Sequence, residues 1–348
     1  MSFLKKLFNK KDHIQIEEEI TPTTPTAQTD TAIPTQKEDE ETPSSHTDDD
    51  FVMLRDDGVR AMRMGQLPYA ERCFTAALER QDDETTKSYL AEIYIGLNVG
   101  EKALPILDEL TQKHPDEVKL FLAKAQAAHQ CSDWNAMNEA ADQIIRIDPE
   151  NPNGPFNKAQ AQSGLKDYIQ AVTLLTQLLT NHTDATQARM LRAKVLYEMQ
   201  QYEEAEKDVD QIINDEQATE ETYALKGDIR AALGDAEGAI ANYDNMKEIN
   251  PFNQDAVLKT GKVYQDNHQL DKALKVYDEA IELQPNFAQA YKERGGVRLQ
   301  LHDDLGATDD LKKALELAPE EAQKVDGEFK NVQEEMEARY RTQNPFGF

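Results

Sequence analysis

An all-α solenoid of eight antiparallel helix pairs is what this sequence predicts, and three observations predict it. An apolar stretch that ends in proline recurs every 34 residues, as MKEINPF from Met246, AIELQPN from Ala280 and ALELAPE from Ala314. Small residues recur upstream of each stretch at the same spacing. Between them the apolar residues step by three and four, the period of a helix face rather than a strand. Repetition at such a length is the signature of stacked units that share one continuous core.

The unit runs from position 1 to position 34. Its copies are 51–83, 84–117, 118–151, 152–185, 186–219, 220–253, 254–287 and 288–321, the first one residue short. Position 8 is small in all eight: Gly58, Ala91, Ala125, Ala159, Ala193, Gly227, Gly261 and Gly295. Position 20 is Ala70, Ala103, Met137, Ala171, Ala205, Ala239, Ala273 and Ala307. Position 24 carries the larger apolar residue in seven units, from Phe74 through Leu107 and Tyr243 to Leu311, with Ala141 in unit three. Positions 4, 8 and 11 share one helical face and positions 20, 24 and 27 another. Turn residues such as Gly65, Gly100, Gly234 and His268 lie between them. Small residues at 8 and 20 let two backbones approach, and position 24 fills the space beside them. Proline at position 32 (Pro115, Pro149, Pro251, Pro285, Pro319) stops the second helix. Asp82, Thr183 and Gln217 replace it in units one, four and five.

These positions resemble the tetratricopeptide repeat family over residues 51–321. The match is closest in the last three units, at Tyr223, Gly227, Ala239, Tyr243 and Pro251, and again at Gly261, Tyr264, Ala273, Tyr277, Ala280 and Pro285. Tyr291, Gly295, Ala307, Leu311, Ala314 and Pro319 complete it. The resemblance implies a right-handed α-solenoid and a non-catalytic scaffold that holds a peptide or partner protein in a concave groove. First helices line that groove in similar proteins, through positions 2, 5, 9, 12 and 13. Here these positions bring forward Arg55, Arg63, Lys119, Leu122, Gln126, Phe156, Met190, Lys194, Tyr197, Leu258, Lys262, Gln265 and Lys292. Apolar and aromatic residues mixed with lysine suit an extended or helical peptide. Chaperone-binding members carry a clamp with asparagine at position 9; no unit here has one.

The flanks differ in composition. Residues 1–16 are a short basic segment of net charge +3, and 17–50 an acidic Thr/Pro-rich linker of −10. The linker has almost nothing apolar to bury, so disorder is expected. Phe3, Leu4, Leu7 and Phe8 share one side of a short amphipathic stretch with Lys5 and Lys6 opposite. Three readings stay open for it: weak peripheral membrane contact, docking on protein, or a solvated end. The membrane reading supports an alternative function, a membrane-peripheral assembly factor. After Pro319, Val325, Phe329, Val332, Met336 and Tyr340 step by three and four, so 322–348 reads as a capping helix and tail.

The net charge of −28 argues against nucleic acid as a partner. Two cysteines, neither in a CxxC, imply no disulfide framework and no zinc site. With no apolar run of membrane-spanning length, a cytoplasmic protein is expected, peripheral to the membrane at most. No HExxH, P-loop or GxSxG is present, and the repeats use nearly the whole ordered chain, so neither an enzyme nor a cofactor is expected. His268 and His302 share position 15 and read as turn residues rather than metal ligands. Trp134 stands at position 17, where Tyr168 and Tyr202 follow in the next units, and reads as packing. Position 7 carries a basic column of Lys124, Lys158, Arg192, Lys226 and Arg294. Asp208 and Asp310 at position 23 are the expected partners of the two arginines, within one unit. The three lysines lack that acid and are expected to snorkel.

Overall fold

The computed structural model describes residues 44–319, and among these every regular element is a helix. Sixteen helices run as eight pairs: α1 (Ser44–Arg63) with α2 (Leu67–Arg80), α3 (Glu84–Gly96) with α4 (Gly100–Lys113), α5 (Val118–Gln130) with α6 (Trp134–Ile147), and α7 (Asn153–Gly164) with α8 (Tyr168–Asn181). The series continues with α9 (Thr186–Glu198) and α10 (Tyr202–Asn214), α11 (Glu220–Ala232) and α12 (Ala236–Ile249), α13 (Gln254–Asp266) and α14 (Leu270–Leu283), and α15 (Ala288–Gln300) and α16 (Asp304–Leu317). The array is an all-α solenoid. α1 begins at Ser44, so the last residues of the stretch read as linker are helical. The segment 1–16, with Phe3, Leu4, Leu7 and Phe8, most of the linker, and the expected capping helix lie outside the described residues.

The core follows the repeat register. Every position-20 residue is at most 1% exposed, and position 24 is buried in every pair but the last. Tyr243 and Tyr277 show why position 8 is small. A Cβ on Gly227 would overlap the Tyr243 ring, and one on Gly261 would overlap the Tyr277 ring and hydroxyl. Each large apolar side chain buried at position 24 contributes about 1.5–3 kcal/mol relative to exposure, and it does so only if the first helix lets it pass.

Position 15 ends every first helix in the left-handed region: Gly65, Asn98, Ser132, Lys166, Gln200, Gly234, His268 and His302. The amide of the following residue bonds back five residues, as in Val99 to Tyr94 and Gln269 to Tyr264, and so satisfies carbonyls the helix leaves open. The two histidines are therefore turn residues by conformation. Gly100, read as a turn residue, is instead the buried first residue of α4; the turn there is made by Asn98. Asp133, Asp167, Asp235 and Asp303 start second helices by accepting from the amide three residues on.

The basic column gives one confirmation and one correction. Arg192 reaches Asp208 at 2.6 and 2.8 Å, and Arg294 reaches Asp310 at 2.6 and 2.9 Å, both within a pair and both bidentate. The lysines do not snorkel. Lys124 pairs with Asp108 at 2.6 Å, Lys158 with Asp142 at 2.5 Å and Lys226 with Asp210 at 2.7 Å. Each of those acids stands at position 25 of the preceding pair. Arg294 makes the same link to Asp278 at 2.6 Å, and Arg192 reaches Thr176 at that position at 3.1 Å. Position 7 lies in the groove between its own second helix and the one before. The acid that each lysine meets stands across the junction, not within its own unit.

Candidate inner binding face

Successive first helices pack on one another, α3 on α5, α5 on α7, α7 on α9, α9 on α11 and α13 on α15. Among the described residues no comparable contact joins successive second helices. First helices therefore form the short, inner side of the stack. Within each of them, positions 3, 7 and 10 turn to the preceding second helix and positions 4, 8 and 11 to their own. The side chains at 2, 5, 9 and 12 are left on the remaining face, one above another by helical period.

Position 5 forms a continuous apolar column over five units: Leu122, Phe156, Met190, Ala224 and Leu258, all half-buried. Leu122 rests on the core around Phe121 and Met137, Phe156 on that around Leu175, and Met190 on that around Leu196 and Val209. Their inner edges stay open. Around them lie exposed Lys119, Gln126 and His129, with Gln160 bonded to His129 at 2.9 Å. Trp134 packs edge-on to the His129 ring, 5.6 Å between centroids, and sits against Gly164; it belongs to packing.

The charged residues expected in the groove are largely engaged with the chain itself. Lys194 pairs with Glu221 of the next unit, and Lys262 with Asp266 one turn on at 2.9 Å. Arg55 bonds Asp56 at 3.1 Å and lies over the Phe51 ring. Gln265 donates to the Tyr277 hydroxyl at 3.0 Å. Arg63 and Lys292 are exposed near the two ends of the array, and Lys292 lines a cleft at its C-terminal end.

One constellation escaped the sequence reading. The Tyr243 hydroxyl passes Gly227 and donates to Asp228 at 2.8 Å, and Lys259 of the next unit reaches both oxygens of that carboxylate at 2.8 Å. Tyr197, stacked at a tilt on Tyr202, completes the group. Burial and the Asp228 charge raise the Tyr197 phenol and push the Tyr243 phenol far above the ordinary tyrosine range. Glycine at 8, acid at 9 and tyrosine at 24 of one unit, with lysine at 6 of the next, were the available signal. Among the described residues no group of His, Cys, Asp or Glu is gathered as a metal site.

Comparison with known proteins agrees with this geometry. Two family models described as tetratricopeptide repeat match residues 163–229 and 258–322. The chain carries tetratricopeptide repeats. Anaphase-promoting complex subunit 3 of Schizosaccharomyces pombe is 22% identical over 82% of this chain and 44% of its own length. Mouse tetratricopeptide repeat protein 16 is 25% identical over 61% of this chain and 30% of its own. This chain thus spans less than half the length of either relative. A solved tetratricopeptide repeat protein from Parabacteroides merdae superposes with a TM-score of 0.58 at 14% identity, covering 72% of this chain and 99% of that one. PilW, described as a widely conserved type IV pilus biogenesis factor, gives 0.51 at 17% identity, over 59% and 96%. At such identities the likeness is one of fold.

Proposed function

We infer that the chain is a non-catalytic scaffold whose inner face holds an extended segment of a partner protein, centred on α5, α7 and α9. Tetratricopeptide repeats mediate protein–protein interaction, and this reading narrows that role to one face. The observation that carries it is the position-5 column: five units in a row offer a half-buried apolar residue on the side that no second helix covers. Such residues give up little packing to form a contact and gain area from it. In α5 to α9 the column is bordered mainly by amides and hydroxyls, with Lys119, His129 and Lys194 among them, suited to the backbone of an extended chain. From α11 onward acids and lysines border it, already paired with each other. A relative that is a subunit of a multiprotein complex is in keeping with a scaffold. Among the described residues no helix is long and apolar enough to cross a membrane; the anchor reading of residues 3–8 remains a second proposal, tested by liposome co-sedimentation with and without them.

Lys194 and Lys262 are ion-paired within the chain, so the sharper variant alters the apolar column. Phe156→Glu with Met190→Glu should abolish recovery of partners by affinity capture from the native extract while circular dichroism stays unchanged. Recovery of the same partners at the same level would remove the inner face as the site.

A further inference from the structure

The apolar column of the inner face has one break. Position 5 is Leu122, Phe156, Met190 and Leu258 in its other units, and Ala224 in α11. Ala224 rests on the core around Tyr243 and Met246, so a single half-buried methyl lies between two large neighbours. Among the described residues α11 and α13 do not pack on one another as α9 does on α11 and α13 on α15, which widens the interval beside it. Charged groups border this recess. Glu221 stands three residues before Ala224 and Asp228 four after it, on the same helical face. Lys194 of α9 holds Glu221, and Lys259 of α13 holds Asp228, to which the Tyr243 hydroxyl also donates. The balance is acidic. Glu198 follows Tyr197, and Asp255 lies 4.0 Å from Lys259, so Lys194 and Lys259 face Glu198, Glu221, Asp228 and Asp255. Beyond the effect of burial, Asp228 outweighs Lys259 in raising the Tyr197 phenol, and Asp228 and Asp255 both raise that of Tyr243.

We propose, on the inner-face reading above, that the recess over Ala224 takes one arginine side chain of the bound segment, its guanidinium between Tyr197 and Asp228. The surrounding chemistry selects that residue. An apolar occupant would strip water from the carboxylates and return no hydrogen bond. An acid would meet lysines already turned to carboxylates and would add a fifth negative charge. The Asp228 and Glu221 oxygens keep lone pairs beyond the bonds they accept, so an incoming group has to donate. The occupant also has to be long, because it replaces the depth that methionine or leucine fills elsewhere in the column. A guanidinium stacks flat on a phenol ring, offers paired donors to a carboxylate and is more weakly hydrated than an ammonium, which favours arginine over lysine.

The test selects random peptides displayed on phage against the full chain, then measures a selected peptide by fluorescence anisotropy. Arginine should be enriched at one position of the selected peptides, beside apolar residues. Replacing that arginine by glutamine should weaken binding about tenfold or more, and by lysine about threefold. In Ala224→Met, which fills the recess, the arginine-to-glutamine loss should shrink to about twofold or less. Asp228→Asn should shrink it likewise, and Ala224→Met keeps the test decisive if that variant loses its fold by circular dichroism. Enrichment of aspartate or glutamate, lysine bound as tightly as arginine, or an undiminished arginine preference in Ala224→Met would overturn the recess. Apolar peptides that lack a fixed arginine and are lost in the Phe156→Glu, Met190→Glu variant would overturn the recess and leave the inner face standing. Peptides bound equally by that variant would instead remove the inner face, and a selection that enriches nothing would count against both.

Discussion

Two neighbouring junctions join the same elements with different chemistry. Between the last two pairs, Arg294 links Asp278 of α14 to Asp310 of α16, and Arg298 adds a bond to Asp310 at 2.8 Å. One junction earlier, Thr260 replaces the arginine and Val276 the aspartate, and Thr260 turns its hydroxyl to the Ala256 carbonyl of its own helix. Asp244, left without a cross-junction partner, pairs with Lys247 on its own helix. That junction is fastened from the inner side by Lys259 on Asp228. The lesson is that the charges are exchanged as a set. Asp208 and Asp310 are 5% and 4% exposed in their side chains, so neither can stand without its cation, whereas removing acid and base together leaves nothing buried and unpaired.

The most damaging way to break this comparison is to remove one member. Arg192→Leu strands Asp208 and should cost about 3–5 kcal/mol, read as a lowered denaturant midpoint. Adding Asp208→Val reproduces the Thr260–Val276 arrangement and should recover most of the loss; if the double variant is no better, exchange as a set is wrong. Gly261→Ala drives a methyl into the Tyr277 ring and should cost about 1–3 kcal/mol, with the greatest rise in hydrogen exchange at α13–α14. Lys124→Met or Lys158→Met removes an outer, half-solvated link and should shift stability by about 0.2–1 kcal/mol, fading with added salt. The smallest signal is alkaline. Burial pushes the Tyr277 phenol up to about 12. Its neutral form therefore adds stability that is complete below the ordinary tyrosine value near 10 and is lost as pH rises through about 12. Tyr277→Phe should flatten that loss, followed by phenolate absorbance together with helicity.

Much of the fold was legible because a repeat states its rule many times. Position 8 and position 20 each showed a restriction over eight copies, and close helix approach is the one physical reason that serves all of them. The inner face was legible only as a set of positions. Leu122, Phe156 and Met190 stood out in the sequence, but their continuity with Ala224 and Leu258 did not, because alanine at one position carries no signal alone. Lys194, Lys262 and Arg55 read as available charges, and the folded chain engages them with its own acids.

By itself the sequence determined the unit, its length, the pairing of helices and the left-handed turn that His268 and His302 share with glycines. Those are local consequences of period, side-chain size and backbone sterics, present within any one copy. Only the tertiary structure decided which acid each cation at position 7 would meet, how far the Tyr243 hydroxyl reaches beyond Gly227, and that Leu311 is left open at the end of the stack. Those depend on contacts between units, where the partner is sixteen or more residues away and its direction is set by how one helix pair leans on the next.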